Sequence, residues 1–319
     1  MQVHPSILCP VDFSEASRGA LRYAFAIARH FGTRLIVLTI EDPMLTEALD
    51  LGTGITWTPE DSRRELEQFV GATFERESHG PMILEYEVAV GKAATEILRV
   101  GRERSCDLIV ISTHGMTGMR KLFFGSTTER VLRDTTRPVL ITPATDPGPV
   151  SIDNARALIR HVLAPVDLSD ASLHQVQAAR AISQALDVPL ILAHVIEPIR
   201  SRFAGRLHLP GLDAERRGTA EDALEGLVAT VPRRVHPDAV IVTGDPAEEI
   251  AKLAEARRAG LIVMGLHGSP LLGPRMGSVT YRVLCLSQSL VLAVPPARAA
   301  VSQSTVGAGF SAQARAFAL

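Results

Sequence analysis

An aspartate and a glycine-rich loop are the residues of this chain best suited to hold a ligand. Asp12 ends the apolar run ILCPVD, and the loop STHGMTGMRKLFFGST spans residues 112–127. Glycines at positions 115, 118 and 125 allow the backbone to approach a ligand closely and to adopt positive φ. Asp12 is able to accept a hydrogen bond from a ribose hydroxyl or from the amino group of a base.

The end of the loop is suited to an anion. Gly125, Ser126 and Thr127 stand at the start of a predicted helix, where free N–H groups and the helix dipole favour a phosphate. The two hydroxyl groups add further donors. We therefore interpret Asp12 and the loop as parts of one nucleotide site. The phosphates would lie at Gly125–Thr127 and adenine nearer Asp12 and Ile40.

Each of these residues also has a purely structural explanation. An Asp12-Phe13-Ser14 sequence before a helix is typical of capping, and so is a Gly-Ser pair at a helix start. His114 with Asp12 suggests an acid/base pair, but no Ser or Cys nucleophile completes a hydrolytic site. A loop histidine bonded to backbone is the simpler interpretation. Neither a phosphate-loop lysine motif nor a GxGxxG fingerprint after the first strand is present.

The same motifs occur a second time. VLAPVDLSDAS repeats ILCPVDFSEAS and places Asp167 155 residues after Asp12. GLIVMGLHG repeats DLIVISTHG, so that His267 matches His114, and MGSVTYRVL repeats FGSTTERVL. Three matched blocks in the same order and at nearly constant offset indicate an internal duplication.

Each copy alternates short apolar strands with amphipathic helices. In the first copy, strands are predicted at 6–12, 34–40, 83–90, 107–112 and 138–142, with helices at 14–31, 60–78, 92–104 and 126–134. Apolar strands joined by helices imply a parallel sheet covered on both faces. The predicted fold is two tandem doubly wound, Rossmann-like α/β domains, each with a five-stranded parallel sheet, in which ligands bind beyond the carboxyl ends of the strands.

The predicted boundaries leave a linker and a tail. The domains are expected at 1–146 and 158–296, and residues 143–160 are expected to form a linker with Pro and Gly at its start. Residues 297–319 are rich in Ala, Ser and Gly and carry few charges, so we expect a disordered tail, with a short docking helix as the alternative.

Composition limits the function classes. The chain has 319 residues and a net charge of −2, which gives no electrostatic footprint for nucleic acid. No apolar run reaches the length of about 18 residues that a membrane span needs. The first residues have no basic segment followed by an apolar one, so no signal peptide is expected there. Three cysteines far apart suggest small buried side chains in a reducing compartment. A cytoplasmic location without membrane or nucleic-acid partners is expected.

The motifs resemble those of the universal stress protein family over nearly all of 5–143 and 160–296. Nucleotide-binding members carry a Gly, two residues, a second Gly, nine residues, and then Gly followed by Ser or Thr. In the first copy Gly115 matches the second glycine, nine residues separate it from Gly125, and Ser112 replaces the first glycine. The related adenine nucleotide α-hydrolase-like fold is implied for both copies.

The resemblance implies an adenine nucleotide in the first copy, either ATP or AMP or ADP, with Mg²⁺ held through the phosphates. The implied contacts are Pro10, Val11, Asp12, Ile40, Ser112, Gly115, Gly125, Ser126 and Thr127. It also implies a stress-response regulator with at most slow ATP hydrolysis. Family dimers form through the last strand, so RPVLITP and SLVLAVPP are expected to pair as an intrachain pseudo-dimer or in a homodimer.

The second copy departs from the family pattern in its loop. Gly265 restores the first glycine and Gly268 matches the second, but only eight residues precede Gly277, and two of them are the prolines at 270 and 274. A stiffer loop is expected to weaken this site, to change its nucleotide, or to leave a structural copy. Its implied contacts are Asp167, Val195, Gly265, Gly268, Gly277 and Ser278. The alternative functions are a non-binding interaction module and an adenylyl-transfer enzyme.

Overall fold

The chain divides into two compact units in a computed structural model, Met1–Ala155 and Arg156–Leu319, which we call domain 1 and domain 2. Each domain is described by itself. The structure describes residues 5–44, 58–74, 81–113, 125–149, 154, 157–201, 205–206, 210–266 and 277–296.

Domain 1 has the predicted alternation of strands and helices. Its elements are β1 (Ser6–Pro10), α1 (Glu15–Phe31), β2 (Arg34–Glu41), α2 (Pro59–Phe74), β3 (Ile83–Val90), α3 (Ala93–Glu103), β4 (Leu108–Ser112), α4 (Ser126–Asp134) and β5 (Val139–Thr142). β1 ends two residues before Asp12, because the aspartate belongs to the turn that leads into α1.

Helix α1 shows how the sequence sets these boundaries. Ser14 caps its N-terminus by accepting a hydrogen bond from Ser17 N at 3.2 Å, and Gly32 ends it in the left-handed conformation, with φ 60°. Leu21 and Phe25 are fully buried on its inner face. Burial of each of these side chains contributes about 1.5–3 kcal/mol, so the inner face fixes the helix on the sheet.

The sheet of domain 1 is parallel and has the order β5-β4-β1-β2-β3. Every residue of β1, β4 and β5 is buried, as expected for strands covered by helices on both faces. The chain leaves β1 toward β2 on one side and returns to β4 on the other. The carboxyl ends of β1 and β4 therefore flank the point where a doubly wound sheet binds ligands, and the predicted fold is confirmed.

Domain 2 repeats this architecture. Its elements are β6 (Val162–Pro165), α5 (Ser172–Leu186), β7 (Leu190–Ile196), β8 (Arg200–Ser201), β9 (Gly205–Arg206), α6 (Pro210–Ala229), β10 (Asp238–Thr243), α7 (Pro246–Ala256), β11 (Leu261–Gly265), α8 (Ser278–Leu286) and β12 (Leu290–Val294). Its parallel sheet has the order β10-β7-β6-β11-β12. The antiparallel pair β8–β9 and a 3₁₀ turn at Arg233–Val235 were not predicted.

The chain after β5 folds back onto α1 of domain 1. Tyr23 donates its hydroxyl proton to Asp146 at 2.7 Å, and Arg22 donates to the Pro147 carbonyl at 2.8 Å. A Cβ on Gly19 would lie 2.2 Å from the Asp146 carbonyl oxygen, so this contact requires glycine. The first part of the predicted linker is thus packed on domain 1.

Candidate functional site

Domain 2 contains a cavity of about 750 Å³ at the carboxyl edge of its sheet. Its wall brings together five of the six residues predicted for the second copy: Asp167, Val195, Gly265, Gly277 and Ser278. The volume lies within the range of about 300–1,000 Å³ that is typical of small-molecule sites. The cavity extends from the end of β7 across β6 to β11, β12 and the start of α8.

One end of the cavity is the N-terminus of α8. Gly277 is the N-cap, with φ −57° and ψ 141°, and no described side chain caps the helix. Gly277 N donates to the Leu266 carbonyl at 2.9 Å, and Thr280 Oγ1 donates to the Gly265 carbonyl at 3.0 Å. These two bonds fix the turn on the end of β11. The first N–H groups of the helix are therefore held in place where an anion would be stabilised.

Domain 1 builds the same turn at the start of α4. Gly125 has φ −57° and ψ 138°, and again no described side chain caps the helix. Gly125 N donates to the Thr113 carbonyl at 2.7 Å, and Thr128 Oγ1 donates to the Ser112 carbonyl at 2.9 Å. Ser126 is exposed and Thr127 is half-buried. The shorter loop of the second copy therefore leaves the turn at α8 in the geometry found at α4.

The aspartates after the first strands organise a tight turn. Asp12 Oδ1 accepts from Ser14 N at 3.2 Å and from Ser14 Oγ at 2.5 Å. Asp167 Oδ1 accepts in the same way from Ser169 N at 3.0 Å and from Ser169 Oγ at 2.6 Å. The capping interpretation thus describes part of the role of both aspartates, since each holds the serine that follows it.

The residue after each aspartate adopts an uncommon backbone conformation. Phe13 has φ 64° and Leu168 has φ 61°, in the left-handed region that large side chains seldom occupy. Such conformations persist where the surrounding structure imposes them, and they cluster at ligand sites. The turn at the end of the first strand is therefore built alike in the two domains.

The carboxyl group of Asp167 is held in its ionised form. Burial opposes ionisation, but hydrogen bonds from Ser169 and from Ser172 Oγ, the latter at 2.8 Å, outweigh it and lower the pKa of Asp167. An ionised carboxylate in the cavity wall is an acceptor for hydroxyl or amino donors of a ligand.

Gln175 is a functional candidate that the sequence patterns did not reveal. Its Nε2 donates to the Pro165 carbonyl at 2.6 Å and to the Val263 carbonyl at 2.8 Å, which joins the ends of β6 and β11 beneath the cavity. A Cβ on Gly265 would lie 3.3 Å from Gln175 Oε1. The available signal was a glutamine on the inner face of α5, where α1 has Ala20.

Two histidines also line the cavity of domain 2. His194 Nδ1 lies 2.9 Å from the Val166 carbonyl oxygen, so a backbone contact fixes this ring. Burial lowers the pKa of His174, which favours its neutral form.

The base end predicted for domain 1 lies beside the paired ends of β1 and β2. Val11 N donates to the Leu38 carbonyl at 2.8 Å, which sets Pro10, Val11 and Asp12 against β2. Ile40 is half-buried near the end of β2, opposite Ala89 of β3. In domain 2, Val166 N donates to the Ala193 carbonyl at 2.8 Å, and Val195 matches Ile40.

Several predictions concern residues outside the described parts of the chain. These are the loop glycines Gly115, Gly118 and Gly268, the histidines His114 and His267, the prolines Pro270 and Pro274, and the tail 297–319. The remaining predicted contacts of each domain lie at the carboxyl edge of the corresponding sheet.

Two further features follow from the described residues. None of their helices is both long and apolar enough to cross a membrane. Within the same residues, His, Cys, Asp and Glu side chains form no group of three that would hold a metal ion.

A doubly wound parallel sheet with ligand-site geometry at its carboxyl edge, present twice in one chain, defines a tandem Rossmann-like α/β protein. The model of the Universal stress protein family matches residues 5–143 and 158–295. The chain therefore belongs to the universal stress protein family, with two tandem domains.

Individual relatives agree with the family match. A universal stress protein of Mycolicibacterium smegmatis is 25% identical over 305 residues, which cover 91% of this chain and 97% of that protein. Universal stress protein A homolog 1 of Coxiella burnetii is 30% identical over 141 residues, which cover 42% of this chain and 95% of that protein. A universal stress protein structure from Archaeoglobus fulgidus shares the fold, with a TM-score of 0.61, 18% identity, and coverage of 91% and 98% of the two chains.

Proposed function

We propose that this protein is a nucleotide-binding regulator of the stress response that binds ATP, or AMP or ADP, in domain 1. The observation that carries the proposal is the turn at Gly125, which leaves the N-terminus of α4 without a side-chain cap among the described residues. Ser126 and Thr127 supply hydroxyl donors at the same point. A phosphate at this turn would satisfy N–H groups that the helix itself leaves unpaired.

We propose that domain 2 holds a second nucleotide site, which binds more weakly than the site of domain 1. Its cavity has Asp167 and Val195 toward one end and Gly277 and Ser278 at the other. Because these two pairs of residues lie at different ends of the cavity, a base and ribose would bind at the end of β7 and the phosphates at α8. The support comes from the cavity volume of about 750 Å³ and from the turn geometry that matches domain 1.

Magnesium would enter the site with the phosphates of the nucleotide. Mg²⁺ usually keeps several waters and is bound through substrate phosphates and only one or two carboxylates. That chemistry fits a site whose described residues include no three-ligand metal cluster. The ion would neutralise phosphate charge, while the chain itself orients the nucleotide through the turn at Gly125.

We further propose that the protein hydrolyses ATP slowly at most and that it is located in the cytoplasm. Asp12 Oδ1 accepts two hydrogen bonds from Ser14, so this carboxylate serves the turn and is poorly placed to activate water as a general base. Cys9, Cys106 and Cys285 are free thiols, which suits a reducing compartment.

The test is to measure ATP binding by the whole chain and by a Gly125→Trp variant. Gly125 has φ −57°, which any residue adopts, so the indole obstructs the turn without backbone strain. We expect wild type to bind ATP, and at 100 times Kd the ligand stabilises its site by about 2.7 kcal/mol. Gly125→Trp should lose that site and keep its unliganded melting temperature. Absence of binding and of thermal stabilisation at millimolar ATP would favour the interaction-module alternative.

A further inference from the structure

One guanidinium nitrogen of an arginine in the cavity of domain 2 is buried without a hydrogen-bond partner among the described residues. Arg216 lines the cavity from α6, and its Nη1 is buried with no hydrogen-bond acceptor among the described residues. The adjacent Arg217, by contrast, pairs with Glu221 at 2.9 Å. Leaving a guanidinium N–H buried and unpaired is unfavourable, so Arg216 gains stability if a ligand supplies an acceptor.

Arg216 belongs to the base end of the cavity. Helix α6 packs on β7 and β10, whereas Gly277 and α8 follow β11. In the sheet, β7 and β11 lie on opposite sides of β6. Arg216 therefore stands apart from the predicted phosphate position, on the side of Val195.

Domain 1 has a different residue at the matching position. Leu66 and Val70 are buried on the inner face of α2, and Ala220 and Leu224 are buried with the same spacing on α6. One turn earlier, this register aligns Ser62, which is buried, with Arg216. By this register, the arginine of domain 2 stands where domain 1 has a serine.

A carboxylate accompanies the arginine at the same end of the cavity. Glu197 follows β7, two residues after Val195, and its exposed side chain lines the cavity. No ion pair joins Glu197 to Arg216 among the described residues. The base end therefore offers a donor fork and a separate acceptor.

The guanidinium of Arg216 complements guanine better than adenine. Guanine presents the acceptors O6 and N7 on one edge and an N2 amino donor on another, whereas adenine replaces O6 with a donor amino group. The planar guanidinium of arginine donates two parallel hydrogen bonds to O6 and N7, and a carboxylate accepts from an amino group.

We propose that domain 2 selects a guanine nucleotide over an adenine nucleotide, with Arg216 as the residue that sets this preference and Glu197 as the acceptor of the base amino group. The inference rests on the proposed function, since it takes the cavity of domain 2 as a nucleotide site. It deepens that function by giving the two domains different base preferences.

The test is calorimetric titration of the full chain with GDP and with ADP in the Gly125→Trp background, which leaves only domain 2 available. We expect GDP to bind about tenfold or more tightly than ADP, the discrimination that one bidentate arginine contact typically provides. Arg216→Ser, which introduces the residue of domain 1, should reduce the ratio of the two affinities to about one.

Two further variants test whether the preference for GDP depends on the planar guanidinium of Arg216, on its positive charge alone, or on a non-specific effect of substitution in α6. Arg216→Lys keeps the charge but loses the fork, so it should lose most of the preference for GDP. Arg217→Ser changes the neighbouring arginine, which lies outside the cavity lining, and should preserve the preference.

The outcomes separate this inference from the proposed function. Binding of ADP as tightly as GDP, or an unchanged ratio in Arg216→Ser, overturns the guanine preference and leaves nucleotide binding intact. If domain 2 binds neither nucleotide while wild type binds ATP, the guanine preference and the second site both fail. If wild type binds no purine nucleotide at all, the proposed function fails with them.

Discussion

The two domains solve one packing problem at the end of the fourth strand in different ways. Domain 2 has Gly265 there, opposite Gln175, whose amide bonds to the Pro165 and Val263 carbonyls. Domain 1 has Ser112 at the matching strand position and Ala20 at the matching helix position, and both are buried. Domain 1 thus combines a small helix residue, Ala20, with the larger strand residue Ser112. Domain 2 combines a large helix residue, Gln175, with a strand glycine.

This exchange explains the missing first glycine of the first copy. Glycine is favoured at position 265 because a Cβ there would approach Gln175 Oε1 to 3.3 Å, a tight contact. The glutamine itself is fixed by two hydrogen bonds, so it has little freedom to move away. In domain 1 the aligned helix residue is the smaller Ala20, which we expect to leave room for the Ser112 side chain. Departure from the family pattern at Ser112 is therefore a packing adjustment, and it does not by itself argue against ligand binding.

The N-terminal halves of α1 and α5 differ in a second way. Gly19 of α1 lies against the Asp146 carbonyl, whereas the aligned residue of α5, His174, lines the cavity of domain 2. The same helix position thus contacts a backbone segment in domain 1 and lines the cavity in domain 2.

The largest expected effect comes from Gly19→Ala. The new Cβ would meet the Asp146 carbonyl oxygen at 2.2 Å, and a backbone atom has little room to move. Overpacking of this kind costs about 1–3 kcal/mol, and the bonds from Tyr23 and Arg22 to the segment would be lost as well. Urea unfolding, monitored by hydrogen exchange of peptides from domain 1, measures the loss in the free energy of unfolding of that domain.

The matched control for Gly19→Ala is His174→Ala. It removes a cavity-lining ring and should change the free energy of unfolding by less than Gly19→Ala does. Equal changes in the free energy of unfolding would contradict the claim that the helix position is tightly packed in α1 and lines a cavity in α5.

The exchange between Gln175 and Gly265 is tested by a double-mutant cycle. Gln175→Ala leaves the Pro165 and Val263 carbonyls without their donor, and we expect it to cost about 1–3 kcal/mol. Gly265→Ser alone should be unfavourable because of the contact with Gln175. In the double variant the serine should cost less than it does alone, since the alanine makes room for it.

Denaturant unfolding of the four proteins gives the coupling free energy, which is expected to be at least about 0.5 kcal/mol for residues in contact. Strictly additive effects would show that the strand and helix positions are independent, and the explanation of Ser112 would then be wrong.

The smallest expected effect concerns the acid sensitivity of domain 2. The pKa of Asp167 is lowered in the folded protein, so its ionised form contributes stability above the ordinary aspartate pKa of about 3.9. That contribution is lost as the pH falls through the lower pKa of the folded state. Asp167→Asn keeps an acceptor oxygen for Ser169 and Ser172 but does not ionise in this range.

The melting temperature of wild type should therefore fall more steeply than that of Asp167→Asn between about pH 5 and pH 3. Parallel curves for the two proteins would show that the hydrogen bonds to Asp167 do not favour its ionised form.

The sequence was sufficient to predict the repeated α/β fold because local patterns encode it. Helix α4 was predicted at its observed bounds, with Gly125 before it, and Gly32 marked the end of α1. The side-by-side position of β1 and β4 followed from the doubly wound order. These features depend on hydrophobic periodicity and on caps, which are read from neighbouring residues.

The residues that distinguish the two sites were not predictable in the same way. Gln175 and Gly265 are far apart in sequence, and their contact depends on how α5 packs on β11. Arg216 lies on a helix whose register against β7 is fixed by burial of Ala220 and Leu224. Asymmetry between the copies therefore arises from tertiary contacts, while their likeness arises from local sequence.

Native mass spectrometry of the whole chain after incubation with ATP most directly tests the central claim, that domain 1 binds an adenine nucleotide at the start of α4. The matched variants are Gly125→Trp and Gly277→Trp, because the two glycines have nearly the same backbone angles. We predict that wild type retains ATP, that Gly277→Trp retains it as well, and that Gly125→Trp loses the tightest-bound nucleotide. ATP retained equally by wild type and Gly125→Trp, or by neither, would contradict the assignment.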